Sequence, residues 1–323
     1  MTRPLHLFAF AALLLPAGTA HAAAFELKDG DRVVFLGNSF FERARDYGHI
    51  ENELVCRWPR REIAFRNLGW DGDTVFGHSR AGGRRRAVFG EPEEGFQRMV
   101  GHVRSLRPTV IFVAYGYNES FEHGPRLKPF REGLERLLKE LATEDTSIRF
   151  VLLSPTPMET GFGTELEFTN QRGRSYVAGR NALLERYART VGEVAKIGGH
   201  HSIDLFTPLL AADKPYTENG IHPSSKGYQR IAEIIAESLK CPPPAFAVYP
   251  EDVRQAIIRK NTLYFHRWRP RNDAFVYGER KNEQKIAQTE PEKFEPFVAG
   301  AETEIREILD WRTGKTKKPK DAE

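Results

Sequence analysis

The sequence predicts a three-layer α/β/α sandwich around a five-stranded parallel sheet, followed by a mainly helical C-terminal extension. Three observations carry this. Short apolar runs rich in Val, Ile and Phe alternate with longer amphipathic stretches as far as residue 240. Glycine or proline closes these runs, at Gly37, Gly69 and Pro155. The stretches between them carry charge at helical spacing. Right-handed crossovers then narrow the topology to a doubly wound, flavodoxin-like sheet.

The elements follow in order. Residues 31–36 (DRVVFL) form a buried strand, and Phe41 to about Trp58 a helix stopped by Pro59. Residues 63–67 give a second strand. Pro92 to Leu106 has helical spacing with acidic residues in its first turn, where the helix dipole favours them. Residues 109–115 form the third strand, and 129–142 a helix of Leu alternating with charge. Residues 148–154 form a fourth strand, 173–197 a long amphipathic helix, 202–206 a short fifth strand, and 225–239 the last domain helix. After Pro242-Pro243-Pro244 the chain turns rich in Arg and aromatics, with helical spacing near its end. Packing against the domain and forming a binding surface are both open to this part.

Composition narrows the class. The chain has 323 residues, 40% of them hydrophobic, enough for one large core. A formal charge of +4 is too mild for a dedicated nucleic-acid binder. Arg3, an apolar run from Leu7 to Pro16 and the small residues around Ala20-His21-Ala22 read as a secretory signal peptide of 22 or 23 residues. The expected organisation is a signal peptide over 1–23, an α/β domain over 24–242, an extension over 243–312 and a disordered tail over 313–323. The expected location is periplasmic or secreted, without stable membrane insertion once the leader is removed. Cys56 and Cys241 lie near the ends of helices that would cover one face of the sheet, so one bridge or two free thiols are both compatible with the fold.

Residues able to do chemistry sit where open parallel sheets place their sites, directly after strands. Gly37-Asn38-Ser39 follows the first strand, Asn67-Leu68-Gly69-Trp70-Asp71-Gly72-Asp73 the second and Gly116-Tyr117-Asn118-Glu119 the third. Glu218-Asn219-Gly220-Ile221-His222-Pro223 lies on the final loop. In their order and placement these segments resemble the four motifs of the SGNH, or GDSL-like, hydrolase superfamily over residues 31–240. Asn38 stands where that family usually has Asp.

The resemblance implies an ester hydrolase without metal or organic cofactor, with Ser39 as nucleophile and His222 as its base. It also implies an oxyanion hole made by the backbone N–H groups of Ser39 and Gly69 and the Asn118 amide. The chemistry is consistent: a serine hydroxyl needs a neighbouring base, and a neutral imidazole both accepts and returns a proton. The triad acid is the departure. The family usually carries Asp three residues before the His, where this chain has Asn219; Glu218, one position earlier, is the alternative acid, and a Ser–His dyad a third arrangement. Asp71 and Asp73 suit a turn better than a metal site. Arg80, Arg84, Arg85 and Arg86 are either solvated surface or a basic rim for an anionic substrate. The expected substrate is a small-molecule or polysaccharide ester, O-acetylated carbohydrate first, with a lipid ester or a non-catalytic carbohydrate-binding module as alternatives.

Overall fold

The computed structural model describes residues 25–80, 92–121, 126–160, 171–269 and 289–318. The expected signal peptide, Arg84 to Arg86 and the last residues of the expected tail lie outside them. Strands β1 (Arg32–Gly37), β2 (Ala64–Asn67), β3 (Val110–Ala114), β4 (Arg149–Leu153) and β5 (His201–Ile203) form one sheet in the order β2-β1-β3-β4-β5. All the pairings are parallel, with Val33 beside Phe65 on one side and Val110 on the other. The strand order reverses at β1, so a crevice opens beyond its carboxyl end.

Helices cover both faces. One face carries α1 (Ser39–Tyr47), α2 (His49–Arg57) and α7 (Ser225–Ser238), packed over Phe35, Phe112 and Leu153. The other carries α3 (Pro92–Ser105), α4 (Leu127–Leu141) and α5 (Gln171–Gly198), over Leu36, Ile111 and Leu152. A short α6 (Phe206–Leu210) follows β5, where the sequence had suggested continued strand. The first expected helix is two. Gly48, at φ +66, terminates α1 in the left-handed region and opens α2, a conformation costly for any residue with a Cβ.

The extension forms α8 (Glu251–Trp268) and α9 (Glu295–Arg312), and it packs on the domain. Val253, Ala256, Ile257, Ile305 and Leu309 join the core on the α1 face, whereas Tyr264 and Val298 join the core on the opposite face. It therefore wraps the edge of the sheet at β2, a position that would otherwise present unpaired backbone. Lys260 reaches through this interface to pair with Glu51 at 2.6 Å, both almost fully buried, and donates to the Phe65 carbonyl at 3.2 Å. Residues 313–316 cap α9 through bonds from Lys315 and Thr316 N–H to the Asp310 carbonyl. Both cysteines are free thiols, Cys56 buried and Cys241 half-buried. Among the described residues no helix is long and apolar enough to cross a membrane.

Candidate active site

Ser39 begins α1 immediately past β1. It does not cap that helix: Asn38 does, accepting the Phe40 N–H on Oδ1 at 3.0 Å. The first N–H groups of a helix have no intrahelical acceptor, so Ser39 sits at an electropositive end. His222 arrives from the loop before α7. Ser39 and His222 line one cavity of about 240 Å³, together with Asn118, Tyr117, Phe121 and Ile221. Tyr228, on α7, donates to the Phe40 carbonyl at 2.6 Å and ties α7 to the helix that Ser39 begins.

The loop after β2 supplies a donor that differs from the expected one. The Gly69 N–H is occupied by the Asn67 side-chain oxygen at 2.8 Å. Gly69 is instead needed for packing: a Cβ there would fall against the backbone of Phe41 and Glu42. The Gly72 N–H points at Ser39 Oγ, 3.3 Å away. Gly72 adopts φ +72 in a turn closed by the Asp73 N–H to the Trp70 carbonyl at 3.0 Å, a conformation that favours glycine. In this loop it is the Gly72 N–H, and not that of Gly69, that meets Ser39. The Asp71-Gly72 pair was a visible turn signal, but which glycine faces the serine depends on the whole loop.

Asn118 is placed as expected, after β3 and on the cavity wall. One of its amide protons goes to the Asp73 carbonyl at 2.9 Å, leaving the other for a ligand. Buried acids hold these loops together. Glu119 accepts the N–H groups of Val75 and Gly116, both at 2.8 Å, clasping the β2 loop to the β3 loop. Burial pushes its carboxyl up to about 7, against the pull of those backbone donors. Asp73 is bound by Arg80 at 2.7 Å and by the Tyr115 hydroxyl at 3.1 Å, and Arg80 also donates to the Leu68 carbonyl at 2.7 Å. Arg80 and Asp73 are wholly buried. Arg80 is thus an internal strut, and the rim reading does not hold for it. Charge patterning suggested surface because nothing local in the sequence announces a buried partner.

The His222 loop is held by Glu159, which accepts the N–H groups of Tyr216 at 2.8 Å and Thr217 at 2.9 Å. Neither candidate acid turns to the imidazole. Glu218 is engaged by Arg43 at 2.6 Å and by the Tyr47 hydroxyl. Asn219 accepts the backbone N–H groups of Ile221 at 3.2 Å and His222 at 2.9 Å, a local turn that shapes the loop. Burial and the Arg43 charge hold the His222 imidazole below its usual range, opposed by the Asp71 and Glu218 carboxylates. His200 and His201 lie at β5 away from the site, packed on Phe150 and Phe25. Among the described residues no cluster of His, Cys, Asp or Glu is arranged to hold a metal ion.

The sequence from 35 to 230 matches the model of the GDSL-like lipase/acylhydrolase family. The chain belongs to that family. It is an ester-bond hydrolase, and the family match covers all four loops just described. No curated protein matches the sequence. Among solved structures, this GDSL-like hydrolase is similar to a putative GDSL-like lipase from Parabacteroides merdae, with TM-score 0.50, 14% identity, and 67% of this chain and 98% of that one covered. It is also similar to a lipase/acylhydrolase from Enterococcus faecalis, with TM-score 0.48, 18% identity, and coverage of 65% and 95%. A gut microbial diltiazem-metabolizing enzyme matches at TM-score 0.49 and 22% identity, over 67% of this chain and 48% of that one. The GDSL-like hydrolase thus spans about half the length of that last protein. At these identities the likeness is one of fold.

Replacing Asn118 by Ala in this hydrolase removes one donor from the cavity and is expected to lower kcat by about 10²–10³-fold with little change in KM. Steady-state kinetics on an aryl acetate check this. An unchanged kcat excludes Asn118 from the oxyanion hole.

Proposed function

We propose that this protein is an exported serine esterase acting on short-chain carboxylic esters, with O-acetylated carbohydrates as the first substrate class to test. The observation that carries the reading is the shared cavity. Ser39 and His222 both line it, and the Gly72 N–H points at Ser39 Oγ. In the proposed reaction His222 takes the Ser39 proton as Oγ bonds to the acyl carbon. The oxyanion is received by the N–H groups of Gly72 and Ser39 and by the free proton of the Asn118 amide. The imidazolium then protonates the departing alkoxide. Water, deprotonated by the same imidazole, releases the acid and restores Ser39. The imidazole's lowered pKa favours the neutral base the first step requires.

The acyl preference follows from space. A cavity of about 240 Å³ walled by Phe40, Tyr117, Phe121 and Ile221 suits an acetyl or similarly short group. A long fatty chain would have to displace those rings, at a cost of about 1–3 kcal/mol or more. Export is supported by the leader-like residues 1–23, and polysaccharide is an ester source that an exported enzyme meets.

A fluorophosphonate probe tests the chemistry directly. Wild-type protein is expected to be labelled and Ser39→Ala to remain unlabelled. Folded wild type that resists the probe and hydrolyses no aryl ester overturns the proposal. That result would favour a carbohydrate-binding module on the same fold, a reading supported by the amide at Asn219 in place of the usual carboxylate.

A further inference from the structure

The last turn of α8 reaches across to the loop that carries Gly72. Arg269 pairs through Nη1 with Glu42 on α1, and the same Glu42 oxygen accepts the Asp71 N–H. The side chains of Arg269 and Glu42 are only 15% and 11% exposed, so water competes weakly for this pair. The Arg269 guanidinium lies 4.2 Å from the ring centre of Trp70, the residue whose carbonyl closes the Gly72 turn. Beside it, Trp268 meets Trp70 edge-on at 5.7 Å. The buried Arg80 guanidinium lies beside both indoles, 5.2 Å from the Trp70 ring centre and 5.8 Å from that of Trp268. Trp70 and Asp71 are therefore gripped from both sides, and the next residue is the one whose N–H faces Ser39.

We infer that Trp268 and Arg269 of the extension are positioning residues for the Gly72 donor. They lie beyond the 35–230 segment that the family model matches, so the motif residues do not by themselves complete the active-site loop. A turn tethered to its domain only by its own backbone would sample several positions. Pinning Asp71 through Glu42 and Trp70 through two cation–π contacts holds the donor where the oxyanion forms, and pre-placed donors are what lower a barrier of this kind. The inference rests on the proposed esterase reading for its kinetic consequence, and on the contacts alone for its structural one.

The experiment uses the full mature chain with Arg269→Ala, Arg269→Lys and a control, Arg312→Ala. The control breaks the α8–α9 ion pair to Asp252 at 2.7 Å, without touching the Gly72 loop. Arg269→Ala is expected to lower kcat on an aryl acetate by about tenfold to hundredfold, with KM changed by less than about threefold. Arg269→Lys should recover part of that loss, since an ammonium still pairs with Glu42. Arg312→Ala should leave kcat within about twofold at a comparable melting-temperature shift. Hydrogen–deuterium exchange of the peptide spanning 67–75 should quicken in Arg269→Ala and remain unchanged in the control. Unchanged exchange in Arg269→Ala overturns the inference, as does an equal kcat loss in the control. Wild type without esterase activity defeats the functional reading instead, and the exchange result still decides the brace.

Discussion

Replacing His222 by Ala is expected to lower kcat/KM on an aryl acetate by at least about 10⁴-fold, because nucleophile and base act as a unit. The Ser39→Ala/His222→Ala double variant should then be no worse than either single one. Additive losses would show that the two side chains act independently and would sink the catalytic pair. In the wild type the pH profile supplies a second check. Burial and Arg43 lower the His222 pKa from its ordinary 6.5, while Asp71 and Glu218 pull the other way. The base must be neutral, so kcat/KM should rise with pH through an apparent pKa below 6.5 and stay level above it. A midpoint above 6.5 would mean that a carboxylate dominates the imidazole's surroundings, contrary to where Glu218 and Asn219 are engaged.

Lys260→Ala is expected to destabilise the protein by about 3–5 kcal/mol, since it strands the Glu51 carboxylate in a buried interface. Burial raises the Glu51 pKa and lowers that of Lys260, and the attraction between the two groups opposes both shifts. Asn261 adds a bond to Glu51 at 3.3 Å, too weak to replace the lysine. The midpoint of thermal unfolding should fall by roughly 10 °C. Removing both charges with Lys260→Met and Glu51→Gln should recover most of the loss, because what costs is the unpaired charge. A single variant within about 1 kcal/mol of wild type in urea unfolding would mean that water reaches Glu51.

The extension illustrates how unevenly a sequence discloses its structure. Its helical character was readable from spacing, and packing against the domain was one of two readings left open. That it wraps the β2 edge could not be read, because Lys260 and Glu51 are separated by most of the chain. Arg80 shows the same limit. It stands in a run of arginines that reads as surface, yet its bonds to Asp73 and the Leu68 carbonyl and its place beside Trp70 and Trp268 bury it completely.

Sequence alone determined the alternation of strands and helices, the parallel sheet and the loops that bear Ser39, Asn118 and His222. These depend on hydrophobic periodicity and on turn residues a few positions apart, which are local properties of the chain. Tertiary structure decided that Gly72 rather than Gly69 offers its N–H to Ser39, and that Glu218 turns to Arg43 and Tyr47. It also decided that Trp268 meets Trp70 in the loop after β2 and that Arg269 pairs with Glu42 beside it. The pairings of Gly72 with Ser39 and of Glu218 with Arg43 join residues far apart in sequence, and no local pattern encodes which such partner wins.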